Sequence, residues 1–149
     1  MKIKIIAVGK QKASPMKELC DEYLKRLSWP VALKEIDSPK AATSATEAPL
    51  ILKHIPDNAL VVALDERGET FTSPNFADRL TSWREQAPGN EIFFLIGGAD
   101  GFDKSVRARA KFLLSFGKQT WPHMLVRVML LEQIYRAQQI LAGHPYHRA

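Results

Sequence analysis

Two short runs of consecutive apolar residues constrain the fold of this chain more than any other feature. Residues 60–64 (Leu-Val-Val-Ala-Leu) and 92–96 (Ile-Phe-Phe-Leu-Ile) are apolar at every position. Strands buried on both faces have this continuous pattern, whereas a strand with one face in water alternates apolar and polar residues. A segment with helical spacing separates the two runs. The pair therefore predicts a parallel sheet with helices on both of its faces.

Strands and helices are predicted to alternate along the chain, which is typical of the α/β class and of a single domain over residues 1–149. The patterns predict strands at residues 2–8, 31–36, 60–64, 91–96 and 112–116. Helices are predicted to begin at Ser14-Pro15, at Ser73-Pro74, after Asp103 and at Pro122, the last of them reaching about Leu141. Residues 38–48 are rich in Ala, Ser, Thr and Pro and are predicted to form a mobile loop, followed by a short helix that ends at Lys53 or His54.

The basic residues are concentrated in the last third of the chain. The sequence has 21 Lys and Arg against 16 Asp and Glu, and residues 101–149 hold eight of the bases but only two of the acids. Such an asymmetry favours a polyanionic partner such as a nucleic acid, although a merely solvated basic surface would have the same composition. The single cysteine, Cys20, excludes a disulfide framework and fits the cytoplasm. No apolar run approaches the ~18 residues of a membrane span.

A glycine-rich segment follows the second apolar run. Gly97, Gly98 and Gly101 fall within five residues, and glycine allows a backbone to approach a ligand closely. The spacing matches neither a dinucleotide fingerprint nor a P-loop, and a plain tight turn would also explain it. Ligands of parallel α/β sheets bind beyond the carboxyl ends of the strands. The segments 64–68, 96–101 and 116–122 are therefore predicted to share a binding site.

The last predicted helix and the segment after it are unusual. Seven of the eight residues 124–131 are apolar, the exception being Arg127, so this helix is predicted to be buried on more than one side, in part against a second subunit. Glu132 and Arg136 have the spacing of an ordinary ion pair on one helix. Residues 143–148 contain two histidines, a tyrosine and an arginine, and we call them the tail. No acid or cysteine lies near the histidines, which argues against a metal site.

Six short motifs occur in the order found in one known family. They read LDERG from residue 64, IGGADG from 96, TWPH from 120, LVRV from 125, EQIYRA from 132 and HPYHR from 144. With these motifs the chain resembles, over its whole length, the RlmH (YbeA-like) family. Members of that family are the bacterial pseudouridine N3-methyltransferases of large-subunit (23S) ribosomal RNA, and they belong to the SPOUT superfamily.

The resemblance implies a fold, an assembly and a methyl donor. The fold would contain a deep trefoil knot within about residues 60–149, the assembly would be a homodimer, and the donor would be S-adenosylmethionine, used without a metal. Carried over by position, the donor-binding residues would be Leu64, Gly98, Gly117, Lys118, Gln119, Thr120, Trp121 and Pro122. Trp121 departs from the leucine that is common in the family, and Glu69 stands where lysine is frequent.

The resemblance also implies a substrate and a role for the tail. The substrate would be a pseudouridine in 23S ribosomal RNA on the assembled ribosome. N3 of the base carries a proton, so a base or a cation must assist the transfer. The catalytic candidates are the tail residues His144, Tyr146, His147 and Arg148, and which of them takes the proton stays open. Lys118, Arg136 and Arg148 would contact phosphates. We expect the tail of one subunit to complete the site of the other.

Two other functions remain open at this point. A related SPOUT methyltransferase could modify tRNA or another ribosomal RNA position, since spacing does not identify the product. A non-catalytic ribosome-binding protein would keep the basic surface and lose the donor. The intact glycine segment argues against this second alternative, and donor binding separates it from the enzyme.

Overall fold

The computed structural model describes residues 1–148 and contains one five-stranded, entirely parallel sheet with the strand order β2-β1-β4-β3-β5. The elements, in chain order, are β1 (Lys2–Val8), α1 (Pro15–Arg26), β2 (Val31–Ile36), α2 (Ser44–Leu52), β3 (Leu60–Glu69), α3 (Ser73–Gln86), a 3-10 turn (Pro88–Asn90), β4 (Glu91–Ile96), α4 (Lys104–Arg109), β5 (Phe112–Leu114) and α5 (His123–Leu141). The predicted α/β class is confirmed.

Local capping explains where several helices begin. The Ser14 hydroxyl accepts a hydrogen bond from the backbone N–H of Lys17, and Pro15 occupies the first turn, where its missing N–H costs nothing. The Asp103 carboxylate accepts from the Ser105 N–H in the same way at α4. The caps lie at the predicted starts of these two helices. At α3, however, the cap is Thr72, one residue before the expected Ser73.

Helices cover both faces of the sheet, as expected from the continuous apolar strands. One face carries α1, α3 and α5, which pack on one another and on a core that includes Ile5, Phe94 and Trp83. The other face carries α2 and α4, over a second core that includes Phe93 and Val106. Because β4 lies in the middle of the sheet and feeds both cores, its carboxyl end is held rigidly from both sides.

The structure corrects the prediction for residues 38–48. These residues do not form one loop, because α2 already begins at Ser44. The Thr43 hydroxyl accepts from the Thr46 N–H, and the Thr46 hydroxyl oxygen accepts from the Thr43 N–H, so the two threonines form a reciprocal capping box. The prediction failed because Thr46 replaces the Glu or Gln by which this motif is usually recognised.

The end of β3 and the short strand β5 make an unusually close contact. β3 continues past Leu64 to Glu69, and Leu114 of β5 is paired with both of these residues. Gly68 lies against the β5 backbone, since a Cβ at this position would be 2.5 Å from the carbonyl carbon of Leu113 and 2.6 Å from the Leu114 nitrogen. The fifth strand, predicted over residues 112–116, is shorter than expected and ends at Leu114. The trefoil knot stays a prediction of the family resemblance.

The last helix lies across the first face of the sheet. Its buried residues include Leu130, Leu131 and Ile134, whereas Leu125 and Met129 are only half-buried. Within residues 1–148, no helix has the length and apolar character needed to cross a membrane.

Candidate donor-binding cleft and tail

The three segments predicted to share a binding site line one cleft at the carboxyl edge of the sheet. The cleft has a volume of about 380 Å³ and is bounded by residues 64–67 in the second half of β3, by the segments after β4 and β5 and by the start of α5. Its lining residues include the glycines Gly97 and Gly98 and the aromatic residues Phe116 and Trp121. An apolar wall beside exposed backbone groups suits a planar heterocycle such as adenine.

Steric constraints explain why the wall after β4 consists of glycines. A Cβ on Gly97 would lie 3.2 Å from the carbonyl group of Gly101, because Gly98 and Gly101 are paired across a tight turn. Gly101 itself has a φ of +71°, in the region that favours glycine. A Cβ on Gly98 would lie 3.2 Å from the carboxylate of Glu47, on α2. The segment is therefore packed tightly from behind, and its open side faces the cleft.

Hydrogen bonds hold the segment between β5 and α5, residues 115–122, in place. The Ser115 hydroxyl donates to the Gly117 carbonyl at 2.7 Å and accepts from the Gly117 N–H at 3.1 Å. The Trp121 indole N–H donates to the Phe116 carbonyl at 3.3 Å, which turns the indole back over its own loop. The Thr120 hydroxyl donates to Glu66, on the β3 side of the cleft. These contacts join two walls of the cleft and leave Trp121 38% exposed.

Arg127 fixes the start of α5 to the ends of β1 and β2. Its guanidinium is fully buried and donates to Glu35 at 2.6 Å, to the Val8 carbonyl at 2.8 Å and to the Gly9 carbonyl at 2.6 Å. One helical turn earlier, His123 reaches the cleft wall. Burial and, to a smaller extent, the charge of Arg127 lower the pKa of His123. The imidazole is therefore uncharged near pH 7.

The tail folds back on α5 of the same chain. Arg136 donates to Glu132 at 2.6 Å and contacts Nδ1 of His147 at 3.1 Å, while the Tyr146 hydroxyl donates to Glu132 at 3.3 Å. Tyr146 packs edge-on against Tyr135, with ring centroids 4.8 Å apart. Burial and the negative charge of Glu132 raise the pKa of Tyr146 to about 12. The predicted ion pair between Glu132 and Arg136 is thus present and anchors the tail.

Most of the predicted donor-binding residues line the cleft, whereas the predicted catalytic residues of the tail do not. The predicted residues that line the cleft are Leu64, Gly98, Gly117, Gln119, Thr120 and Trp121. Lys118 and Pro122 belong to the same segment but do not line it. Neither do the tail residues His144, Tyr146, His147 and Arg148. Ala149 lies outside the described residues.

Sequence reasoning missed several residues of the cleft. His123 and Val126, which lie beyond the predicted segment 116–122, line it, and Glu47 lies directly behind it. His123 had a usable signal, because it closes the TWPH motif and begins the last helix. No sequence signal indicated Glu47, since its position depends on the packing of α2 against a segment about 50 residues further along the chain.

The structure also changes the interpretation of the basic last third. Arg127 is buried and paired with Glu35, so it adds nothing to a basic surface. Arg136 is paired with Glu132 and is only 25% exposed. Lys118 and Arg148 are exposed. Of the three predicted phosphate-contacting residues, these two are therefore accessible to RNA in this arrangement.

A second cavity, of about 540 Å³, lies between α3 and α5. Its walls are mainly apolar and include Phe71, Phe76 and Met129, with Glu132 at its edge. Phe116 and Gly117 line both this cavity and the donor-binding cleft. The two spaces are thus separated only by the segment between β5 and α5.

A parallel sheet with a cleft at its carboxyl edge is the arrangement in which α/β proteins bind their ligands. The chain belongs to the SPOUT methyltransferase family, since the family model described as predicted SPOUT methyltransferase matches residues 1–147. A solved structure of a probable methylase family protein from Haemophilus influenzae shares the fold, with a TM-score of 0.61 over 99% of this chain and 70% of that one at 11% identity.

Relatives with much higher identity place the chain within that family more narrowly. It is 53% identical to a protein of Rhodospirillum centenum, with all of both chains covered, and 51% identical to one of Paramagnetospirillum magneticum, with 99% of both covered. Each of these relatives is named ribosomal RNA large subunit methyltransferase H. The resemblance to the RlmH family is therefore confirmed.

Proposed function

We propose that this chain transfers a methyl group from S-adenosylmethionine to N3 of a pseudouridine in 23S ribosomal RNA, acting as a homodimer on assembled ribosomes in the cytoplasm. The observation that carries the proposal is the cleft in which three separate segments of the chain converge. The names of the relatives support ribosomal RNA of the large subunit as the substrate.

The residues of the cleft fit the donor. Adenine would find both backbone groups, at Gly97 and Gly98, and apolar surface, at Phe116 and Trp121, among the residues that line the cleft. When bound, S-adenosylmethionine supplies an electrophilic methyl group on a sulfonium sulfur. The glycines allow this close approach, and the hydrogen bond between Thr120 and Glu66 holds the walls of the cleft together.

The acceptor nitrogen must lose a proton as the N–C bond forms. N3 of a neutral uracil ring carries a proton. As the bond from N3 to the methyl carbon forms, the bond from that carbon to sulfur breaks, and a protein group takes the proton from N3. The tail supplies the suitable groups, with imidazoles at His144 and His147 and a cation at Arg148 to hold phosphate. Tyr146 is a poor proton acceptor, because its raised pKa keeps the phenol protonated. We therefore favour a histidine as the base.

The position of the tail favours a site shared between two subunits. His123 lines the cleft, whereas the tail is anchored at Glu132 and Arg136. These two residues lie nine and thirteen positions further along α5, about 14 and 20 Å at 1.5 Å per residue. The half-buried apolar residues Leu125 and Met129 supply a surface for a second copy. In such a dimer the tail of one chain would act at the cleft of the other.

The test is transfer of labelled methyl from S-adenosylmethionine to bacterial ribosomes that lack the modification, followed by nuclease mapping. Label at N3 of a pseudouridine in 23S ribosomal RNA is the expected result. Label at another position, or only on tRNA, would support a different SPOUT methyltransferase. Failure of the chain to bind the donor at all would leave the non-catalytic ribosome-binding protein as the better interpretation.

The shared site has its own test. Deletion of residues 143–149 should abolish transfer and leave donor binding unchanged. Mixing this variant with Gln119→Trp, which adds bulk at an exposed position lining the cleft and is first checked to have lost donor binding, should restore activity, because one working cleft and one tail remain in the heterodimer. A mixture without activity, from chains shown to form mixed dimers, would contradict the exchange of tails.

A further inference from the structure

Glu47 lies directly behind the glycine wall of the donor-binding cleft. The residue is on α2 and only 6% exposed. Its two carboxylate oxygens are 3.2 and 3.3 Å from the position that a Cβ on Gly98 would occupy. Because Gly98 has no side chain, only the thickness of the backbone separates this carboxylate from the space where the donor is proposed to bind.

The carboxylate has no cationic partner in the part of the chain that is described. No Lys, Arg or His nitrogen of residues 1–148 lies within 4.0 Å of it. Its hydrogen bond to a side chain comes from the Ser38 hydroxyl at 2.6 Å, a distance typical of an O–H donor on an ionised carboxylate.

The charged groups nearby do not neutralise Glu47. Arg127 is bound to Glu35 and to two carbonyls. Burial and Arg127 lower the pKa of His123 against a smaller, opposite effect of the Glu47 charge itself, and no described nitrogen of His123 lies within 4.0 Å of the carboxylate. Placing an unpaired carboxylate in the interior is costly, and chains retain such groups mainly where a ligand or a reaction uses them.

The proposed donor offers the missing positive charge. Its sulfonium sulfur is a fixed cation, independent of pH, and it becomes a neutral thioether when the methyl group leaves. A buried carboxylate close to that sulfur would stabilise the charged donor and not the neutral product. Exposed acids such as Asp100 at the rim are better screened by water and salt than Glu47 is.

Building on the proposed function, we propose that Glu47 determines the preference of the cleft for the charged donor over the demethylated product. Its carboxylate acts across Gly98, without touching the ligand. Glu47 therefore favours binding of a fresh donor and release of the product after each transfer.

The experiment measures binding by calorimetry, without turnover. The ligands are S-adenosylmethionine, S-adenosylhomocysteine and sinefungin, which carries an amino group in place of the sulfonium centre. Glu47→Gln should weaken the two cationic ligands about tenfold, the size expected for one partly screened charge interaction, and change S-adenosylhomocysteine less than twofold. The difference should persist at high salt, because the charge is buried.

Two further variants separate charge from structure. Ser38→Ala removes the hydrogen bond but keeps the carboxylate, so it should keep the preference for the cationic ligands. Glu18→Gln makes the same chemical change on α1, outside the cleft, and should alter nothing. Thermal melting of each variant checks that it is folded.

Each remaining outcome overturns a specific claim. Equal weakening of all three ligands by Glu47→Gln, or loss of the preference in Ser38→Ala, would show that Glu47 only supports the loop. Unchanged affinities in Glu47→Gln would show that the charge of Glu47 does not affect ligand binding in the cleft. If the unmodified chain binds none of the ligands, the proposed function itself fails. This result is distinct from the outcomes above, which concern only the variants.

Discussion

Replacing Arg127 tests how firmly α5 is attached to the sheet. We consider Arg127→Met, which keeps an unbranched apolar stem and removes the charged guanidinium. The guanidinium is fully buried and makes three hydrogen bonds of 2.6 to 2.8 Å, to the Glu35 carboxylate and to the carbonyls of Val8 and Gly9. Methionine satisfies none of these acceptors.

The size of the effect follows from these partners. Removing one member of a buried ion pair costs about 3–5 kcal/mol, and each buried carbonyl left without a donor costs about 1–3 kcal/mol. The Glu35 side chain is 28% exposed, so its carboxylate regains some hydration and the cost of losing the ion pair is reduced. We therefore expect a loss of about 3–5 kcal/mol. For a chain of this size, that corresponds to a fall in Tm of roughly 6–20 °C.

Urea unfolding followed by circular dichroism measures this loss directly. The matched control is Arg26→Met, because Arg26 pairs with Glu22 on the exposed surface of α1, where water screens the pair and its loss has little effect on stability. A loss below about 1 kcal/mol for Arg127→Met, or one equal to the control, would refute the reasoning that buried partners determine the cost.

Two other perturbations test single contacts. Gly68→Ala should destabilise the chain by about 3 kcal/mol or more, because its Cβ would lie 2.5 to 2.6 Å from three backbone atoms of β5 that have no room to move. The control Gly89→Ala, with a φ of +64° and open space around it, should cost only about 1–2 kcal/mol, and equal losses would contradict the close contact. Tyr146 is predicted to ionise only at strongly alkaline pH, since its pKa is raised to about 12. A raised pKa stabilises the docked tail at pH values below the ordinary pKa of 10, and this stabilisation disappears as the pH rises to about 12. An absorbance titration that is unchanged by Tyr146→Phe at its alkaline end would show that the phenol is not buried against Glu132.

The fold was predictable where its determinants are local. The apolar runs at 60–64 and 92–96 are found in β3 and β4, and the caps Ser14 and Asp103 begin the expected helices. Each of these signals lies within a few residues of the element that it specifies. The cleft was predictable for a related reason, since parallel strands place their carboxyl ends at one edge of the sheet.

Contacts between distant segments were not predictable. Arg127 meets Glu35 across 92 positions, and Glu47 meets Gly98 only because α2 packs against β1 and α4. No periodicity indicates either contact. The continuation of β3 to Glu69 was missed for the same reason, since it depends on the pairing of Glu69 with Leu114.

Counting charges along the sequence also gives an incomplete description of the surface. The last third has six more bases than acids, yet Arg127 is buried within the core and Arg136 is held by Glu132. The exposed bases Lys118 and Arg148 belong to the cleft segment and to the tail. Lys104, at the start of α4, and Lys111, just after it, are exposed as well. The count of bases alone therefore overstates the charge that this third of the chain presents to RNA.

The arrangement of cleft and tail leads to a conclusion about how the proposed reaction is controlled. In one chain the tail is anchored to α5 by Glu132, Arg136 and Tyr146, and none of its residues reaches the cleft. Donor binding and proton removal would therefore depend on different surfaces of one protomer. If the tail acts at the cleft of a partner, dimer formation is required for methyl transfer but not for donor binding. Dilution below the dimer dissociation constant should then abolish transfer while the affinity for the donor is retained.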